Sequence, residues 1–438
     1  MSATERGMRL GLRVLGRIAG SQRLDRLRVR RPAERVLYRA TRDGFRAAGA
    51  AGRTFKAARR SQPARLQAAG ESGLFDLTPT EEQQMVTDTF REFAEQQLRP
   101  AAGAADSACA APRELLEQIA ELGLCLLGVP EELGGAVSER SSVTSVLAAE
   151  ALAHGDMGLA VAALAPASVA TALGLWGDGD QQATYLPALL GDEMPAAALA
   201  LGEPRALFDP GMPRTLARRD AGGDYVLDGV KALVPRAAEN SLLIVGAQIE
   251  GESPALFLLE AGTRGVLSCP APTMGVRAAA TGHVLLPDVR VPAAALLGGG
   301  DPAVYAECVR RARLAWCALS LGTAQAVLDY VIPYVNDRVA FGEPISHRQA
   351  VAFTISDIAI ELEGMRLATL RAASRADAGR DFAHEVAVAR TLCAEKGARI
   401  GSEGVQLLGG HGYVTEHPVE RWYRDLQAAG VFEGALLV

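Results

Sequence analysis

The side chains best suited to chemistry in this sequence are a few acids, arginines and glycines rather than its cysteines or histidines. The six cysteines (Cys109, Cys125, Cys269, Cys308, Cys317, Cys393) are scattered, with no Cys-x-x-Cys and no Cys/His cluster. That argues against a disulfide scaffold or a zinc site and fits a reducing compartment. Glu433 stands eight residues after Asp425 in Arg424-Asp425-x7-Glu433-Gly434, and a carboxylate desolvated among apolar groups is suited to moving a proton near neutral pH. Arg338 opens Arg338-Val339-Ala340-Phe341-Gly342, with Gln349 downstream, and its planar guanidinium is a match for phosphate. Gln406 leads into Gly409-Gly410, and Arg313 closes the basic run Arg310, Arg311, Arg313. Taken singly, each has a plainer reading: a surface glutamate, a helix-end ion pair beside a core aromatic, a solvated arginine. Only their order along the chain can decide.

The chain that must position them has 438 residues, about three times a common domain size. It is 49% hydrophobic, 22% charged and 5% aromatic, the balance of a globular protein. Its net charge of −6 conceals an asymmetry: residues 1–70 hold 18 Lys and Arg against Glu5, Asp25, Glu34 and Asp43, a net of +14, so the remainder carries −20. An acidic body of this kind is a poor nucleic-acid binder, and residues 1–70 read as a basic extension. Arg6, Arg9, Arg13 and Arg17 share one helical face, with Met8, Leu12, Leu15 and Ala19 opposite. Such a face suits peripheral contact with anionic lipid, a mitochondrial transit peptide, or a solvated arm with no partner, and these readings stay open.

From residue 71 the pattern is helical to about 197, β-rich from 198 to 300, and helical again from 301 to 438. Thr78-Pro79-Thr80-Glu81 predicts a helix start with Thr78 as cap, Pro79 in the first turn and Glu81 reaching back. Leu115 to Leu127 predicts a second helix, ended by Gly128-Val129-Pro130. Residues 157–177 contain no charged side chain, but their Ala/Gly content and Pro166 favour a buried helix of a bundle over a membrane span. The runs Tyr225–Leu227, Ser241–Val245, Ala255–Leu259 and His283–Leu286 predict strands, with Asp228-Gly229 as a tight turn.

Across residues 75–438 a series of motifs runs in order: Gly128-Val129-Pro130-Glu131-Glu132-Leu133-Gly134-Gly135, Tyr185-Leu186-Pro187, Gly191-Asp192-Glu193, Met274-Gly275-Val276-Arg277 and Val289-Arg290-Val291-Pro292. Arg338 to Gly342 follows, then Gln406-Leu407-Leu408-Gly409-Gly410-His411-Gly412-Tyr413, Arg424-Asp425 and Phe432-Glu433-Gly434. In order and spacing the series resembles the acyl-CoA dehydrogenase family. The resemblance implies an α+β, mostly α fold: a helical N-terminal domain, a middle β-barrel domain and a C-terminal four-helix bundle. It also implies bound FAD, a dimer or tetramer of like or unlike subunits, and dehydrogenation of an acyl-CoA thioester between its α and β carbons. Electrons would pass to an electron-transfer flavoprotein.

The resemblance carries roles residue by residue. Glu433 corresponds to the catalytic base, and Gly434 lets substrate approach the backbone. Arg338, Phe341 and Gln349 correspond to a motif that meets the FAD of a neighbouring subunit. Gln406, Gly409 and Gly410 correspond to the turn beside the dinucleotide, and Arg313 to an arginine on the CoA portion. Some relatives carry the base one residue before that arginine; here Ala312 stands there. Six positions depart from the family pattern, and four of them (Gly202, Phe208, Pro235 and Ala435) lose a hydroxyl. Leu207 and Phe208 replace Gly and Ser, Pro235 replaces a Thr, and Ala435 replaces another Thr. Gly202 also stands for a Thr, and Leu233 for the Trp that covers the flavin. The resemblance therefore implies an FAD enzyme of fatty acid β-oxidation, cytoplasmic or peripherally membrane-bound, and in the mitochondrial matrix if eukaryotic. A second reading is a divergent partner subunit that binds FAD weakly or not at all.

Overall fold

A computed structural model of the chain describes residues 78–191 and 195–438. The basic extension, and Asp192 and Glu193 of the Gly-Asp-Glu motif, lie outside the described residues. Helix α1 (Glu81–Phe93) is capped by Thr80, whose Oγ1 accepts from the Gln83 N–H at 3.2 Å while Gln83 Oε1 accepts from the Thr80 N–H at 3.1 Å. The cap thus falls at Thr80 rather than Thr78, and Gln83 replaces Glu81 as its partner. This register puts Glu81 and Glu82 in the first turn, where carboxylates face the positive end of the helix dipole.

A π-helical turn (Ala94–Leu98) carries α1 into α2 (Arg99–Ala108). The next helix, α3 (Arg113–Glu121), stops earlier than its apolar pattern predicts. Gly123 takes a left-handed φ of 79° and the chain continues as a 3₁₀ turn over Leu124–Gly128. Helices α4 (Ser142–Gly155), α5 (Met157–Trp176) and α6 (Gly179–Leu189) complete this part. Although α5 is long and apolar enough to cross a membrane, every residue from Met157 to Leu173 is buried by protein. The 3₁₀ turn packs so closely on it that a Cβ on Gly128 would collide with Thr171 of α5.

The middle part is one eight-stranded sheet: β1 (Ala197–Ala200), β2 (Leu216–Arg219), β3 (Tyr225–Val234), β4 (Leu242–Ile249), β5 (Pro254–Glu260), β6 (Leu267–Pro270), β7 (Gly282–Val291) and β8 (Leu296–Leu297). The ladder runs β6-β7-β3-β2-β4-β5-β8, with β1 paired parallel to β4 beside that path. Asp228-Gly229 is not a turn. It lies inside β3, where the pairing with β7 shifts register between Leu227 and Gly229. Thr215 comes so near that a Cβ on Gly229 would meet its Oγ1 at 2.6 Å, so glycine here marks a bulge and a close approach.

Three long helices follow among the described residues: α7 (Pro302–Asp337), α8 (Gln349–Asp377) and α9 (Ala383–Leu408). They pack on one another, and α7 also packs along α4. The short helices α10 (Val419–Leu426) and α11 (Ala428–Val431) lie across α9 and return the chain to the sheet. A two-stranded hairpin, β9 (Val339–Ala340) with β10 (Glu343–Pro344), joins α7 to α8.

Candidate active site

Glu433 lies where β1, α7 and α9 meet. After α11 the buried Phe432 ring packs against Trp316 of α7, ring centres 4.6 Å apart, and Trp316 Nε1–H donates to the Gly434 carbonyl at 2.8 Å. Gly434 takes a left-handed φ of 77° and presses so close to β1 that a Cβ there would stand 2.6 Å from Leu201 Cβ. Only glycine accepts both the dihedral and the contact. Gly202 gives similar clearance from the other side, since its Cβ would sit 3.4 Å from the Glu433 carbonyl oxygen.

The Glu433 side chain is 11% exposed and held by two guanidinium groups. Arg313 donates from Nε to Oε2 and from Nη2 to Oε1, both at 2.9 Å, the bidentate geometry of a strong charge-assisted pair. Arg390 of α9 places Nη2 3.0 Å from Oε1 and donates from the same nitrogen to the Phe432 carbonyl at 2.8 Å. Burial works against the charge of Arg313, but its hydrogen bonds to Glu433 outweigh that and raise its pKa; at Arg390 burial prevails and the pKa falls below its usual value. The structure thus joins Glu433, Arg313 and Gly434, and gives Arg313 a carboxylate to hold. The sequence reading missed Arg390. Its signal was an arginine set beside the buried stripe Val386, Ala389, Cys393 and Gly397 of α9. Ala312 is wholly buried, and no acid approaches from that position.

The other six predicted residues gather at the opposite end of the bundle. Arg338 caps α7, Phe341 forms the tip of the β9–β10 hairpin at 98% exposure, and Gln349 starts α8. Gln406, Gly409 and Gly410 end α9 on the surface. Tyr334 ties the two ends together: its hydroxyl lies 3.0 Å from His411 Nδ1 and donates to the Leu408 carbonyl at 3.4 Å. This end fits a phosphate-bearing dinucleotide. Among the described residues the Arg338 guanidinium has no hydrogen-bonding or ionic partner, and a Cβ on Gly409 or Gly410 would meet nothing within 4 Å, so the backbone is open to a ligand. Arg313 and Arg338 are 25 residues apart on one helix, about 37 Å at 1.5 Å per residue, so one compact ligand cannot meet both ends of α7 in the same copy.

The departures in the middle domain have visible consequences. Leu207 is fully exposed with a φ of 52°, and Phe208 lies under the Arg205 guanidinium, 5.3 Å from its ring centre. The Pro235 carbonyl accepts from Asn240 Nδ2 at 2.9 Å between two left-handed residues, Leu233 and Arg236. Beneath them Glu203 and Lys231 form a buried pair at 3.0 Å. Glu203 also accepts from the Arg214 and Thr215 N–H groups and the Thr215 hydroxyl. Burial pushes the Lys231 ammonium down to about 8 against the pull of Glu203.

Family models for the N-terminal, middle and C-terminal domains of acyl-CoA dehydrogenase match residues 80–193, 198–289 and 303–436. The mitochondrial short-chain specific acyl-CoA dehydrogenase of Homo sapiens is 32% identical over 363 residues, spanning 81% of this chain and 87% of the relative. The solved butyryl-CoA dehydrogenase of Megasphaera elsdenii superimposes with a TM-score of 0.76 at 28% identity, covering 82% of this chain and 96% of that one. PigA, solved with FAD and proline, superimposes with a TM-score of 0.75 at 25% identity, covering 82% and 95%.

Proposed function

Because the chain belongs to the acyl-CoA dehydrogenase family, we propose that it is an FAD-dependent oxidoreductase that removes hydrogen from the α and β carbons of an acyl-CoA thioester, with Glu433 as the base. The observation that carries this reading is a buried carboxylate whose two oxygens are fixed by Arg313 and Arg390 and whose backbone turns at Gly434 against β1. FAD, when bound, supplies the hydride acceptor for the β carbon. This chain's own residues do the rest. Glu433 takes the α proton, and its arginines keep the carboxylate plane from rotating away from it. The Glu433 N–H polarises the thioester carbonyl as negative charge develops there.

Arg338, Phe341, Gln349, Gln406, Gly409 and Gly410 hold the dinucleotide of a second copy in a homo- or hetero-oligomer, which the length of α7 requires if they are to serve a site built around Glu433. An electron-transfer flavoprotein accepts the electrons. The second reading, a partner subunit with little flavin of its own, is favoured by the lost hydroxyls at Phe208 and Pro235 and by the side chain gained at Leu207.

The visible spectrum of the purified protein separates the two. A flavin band near one FAD per chain, bleached anaerobically by an acyl-CoA, is the expected result. A colourless protein that takes up no added FAD would favour the partner-subunit reading. The Glu433→Gln variant should keep the flavin band and lose the bleaching; wild-type bleaching in that variant would remove Glu433 from the role of base.

A further inference from the structure

We propose that residues Ala435–Val438 occupy the crevice through which an acyl chain reaches Glu433, so that this segment is an internal stopper which substrate must displace. The proposal rests on the reading of Glu433 as base. All four residues are buried, at 3%, 1%, 5% and 2% exposure. The segment begins at the Glu433-Gly434 turn, and Ala435 makes an antiparallel bridge with Leu199 of β1. It then runs beside α5, where the Leu437 N–H donates to Ser168 Oγ at 2.8 Å. Val438 lies between α7 and α4: its carbonyl oxygen accepts from Arg311 Nη1 at 3.2 Å and Arg140 Nη2 at 3.5 Å. The same two guanidinium groups donate to Ser142 Oγ at 2.9 and 3.3 Å.

A methylene chain whose thioester lies at Glu433 needs dry, apolar space that starts within reach of that carboxylate. Ala435, Leu436, Leu437 and Val438 fill such a space with aliphatic side chains. Four extended residues span at most on the order of 13 Å, the scale of a medium-length acyl chain.

The segment is also seated in a way that permits exchange. Its polar ties are the Ala435–Leu199 bridge, the Ser168 hydroxyl and the two arginines beside Val438, and Ala435 holds a φ of 71°, a left-handed conformation that disfavours residues with a Cβ.

The test uses the flavin-loaded full chain and 3-thiaoctanoyl-CoA, a thioether that has no hydrogen to lose at position 3 and so binds without turnover. Binding is measured by calorimetry, and the segment by hydrogen exchange of the peptide that spans residues 432–438. At saturation the amides of residues 435–438 should exchange at least about tenfold faster than in the free protein. Leu437→Asp, and a chain stopped after Gly434, should bind the analogue about tenfold more tightly than wild type, because the occupied state no longer competes. Binding with unchanged exchange, and equal affinity in the variants, would overturn the stopper and leave the function standing. No binding by wild type but binding by the variants supports it. No binding by any of the three would defeat the reading of Glu433 as an acyl-CoA site, and the stopper with it. If neither variant folds, the exchange measurement on the wild-type chain decides.

Discussion

Glu433 keeps both oxygens in the grip of guanidinium groups from two different helices, so its position is set by α7 and α9 together rather than by its own short loop. Arg390 is the more distinctive of the pair, because it also ties down the Phe432 carbonyl. Replacing it by Gln should lower kcat for acyl-CoA oxidation about 10- to 100-fold while KM changes little, since a misplaced base penalises the chemical step. Steady-state kinetics with one acyl-CoA checks this, and a change confined to KM would contradict it. The Glu203–Lys231 pair is a second charged device, wholly structural in its contacts. Lys231→Met leaves Glu203 buried without its partner and should cost about 3–5 kcal/mol in denaturant unfolding. The double variant Lys231→Met/Glu203→Gln should recover part of that, because Gln can still accept from the Arg214 and Thr215 N–H groups. Both arginine contacts and the lysine pair depend on residues far apart in sequence, which explains why Arg390 carried no visible role there.

At the level of elements, α10 locks the three parts of the chain together. Arg424 reaches Asp106 in the last turn of α2 and the Met274 carbonyl of the middle domain, Arg421 pairs with Asp156 ahead of α5 at 3.0 Å, and Asp425 accepts from the Val276 N–H at 2.6 Å. Asp425 is fully buried; burial first, and Asp156 second, push its carboxyl up to about 8. A carboxyl whose folded pKa lies above its unfolded one binds a proton more tightly when folded. Its stabilising share is therefore complete below about pH 4 and is lost as pH rises toward about 8, at up to about 1.4 kcal/mol per pH unit. Asp425→Asn retains the acceptor for Val276 and has no proton to lose. Its unfolding free energy should depend less steeply on pH between 5 and 8 than that of wild type, and parallel curves for the two proteins would refute the assignment. The elements themselves were largely legible: the capping motif located the start of α1, the charge-free run 157–177 located α5, and short β-prone runs located β3, β4, β5 and β7. Capping and turns were less so. Thr80 displaced Thr78 because two overlapping Thr-x-x-acid/amide patterns compete, and Asp228-Gly229 was absorbed into a bulge because Thr215, just ahead of β2, crowds it.

For the whole molecule, the distance along α7 governs. The buried site around Glu433 and the exposed cluster around Arg338 lie at opposite ends of a 36-residue helix, and on the function proposed above one flavin would draw on the two ends from two copies. Arg338→Glu replaces a guanidinium that has no partner among the described residues by a charge that repels phosphate. It should lower the flavin content at least about tenfold at limiting FAD while leaving the melting temperature of the flavin-free protein close to wild type. Full flavin occupancy in that variant would separate Arg338 from the cofactor.

Composition, periodicity and motif order were enough to establish the α–β–α sequence of parts, the family and the residues to watch, because each is a property of neighbours along the chain. What they left open belongs to contacts between distant segments. Arg313 and Arg390 meet on Glu433, Lys231 meets Glu203, and Ala435–Val438 lie between Leu199, Ser168, Arg311 and Arg140. No local pattern encodes such meetings. They follow from where three long helices and one sheet place side chains that are tens to hundreds of residues apart, and burial then decides which charges must pair.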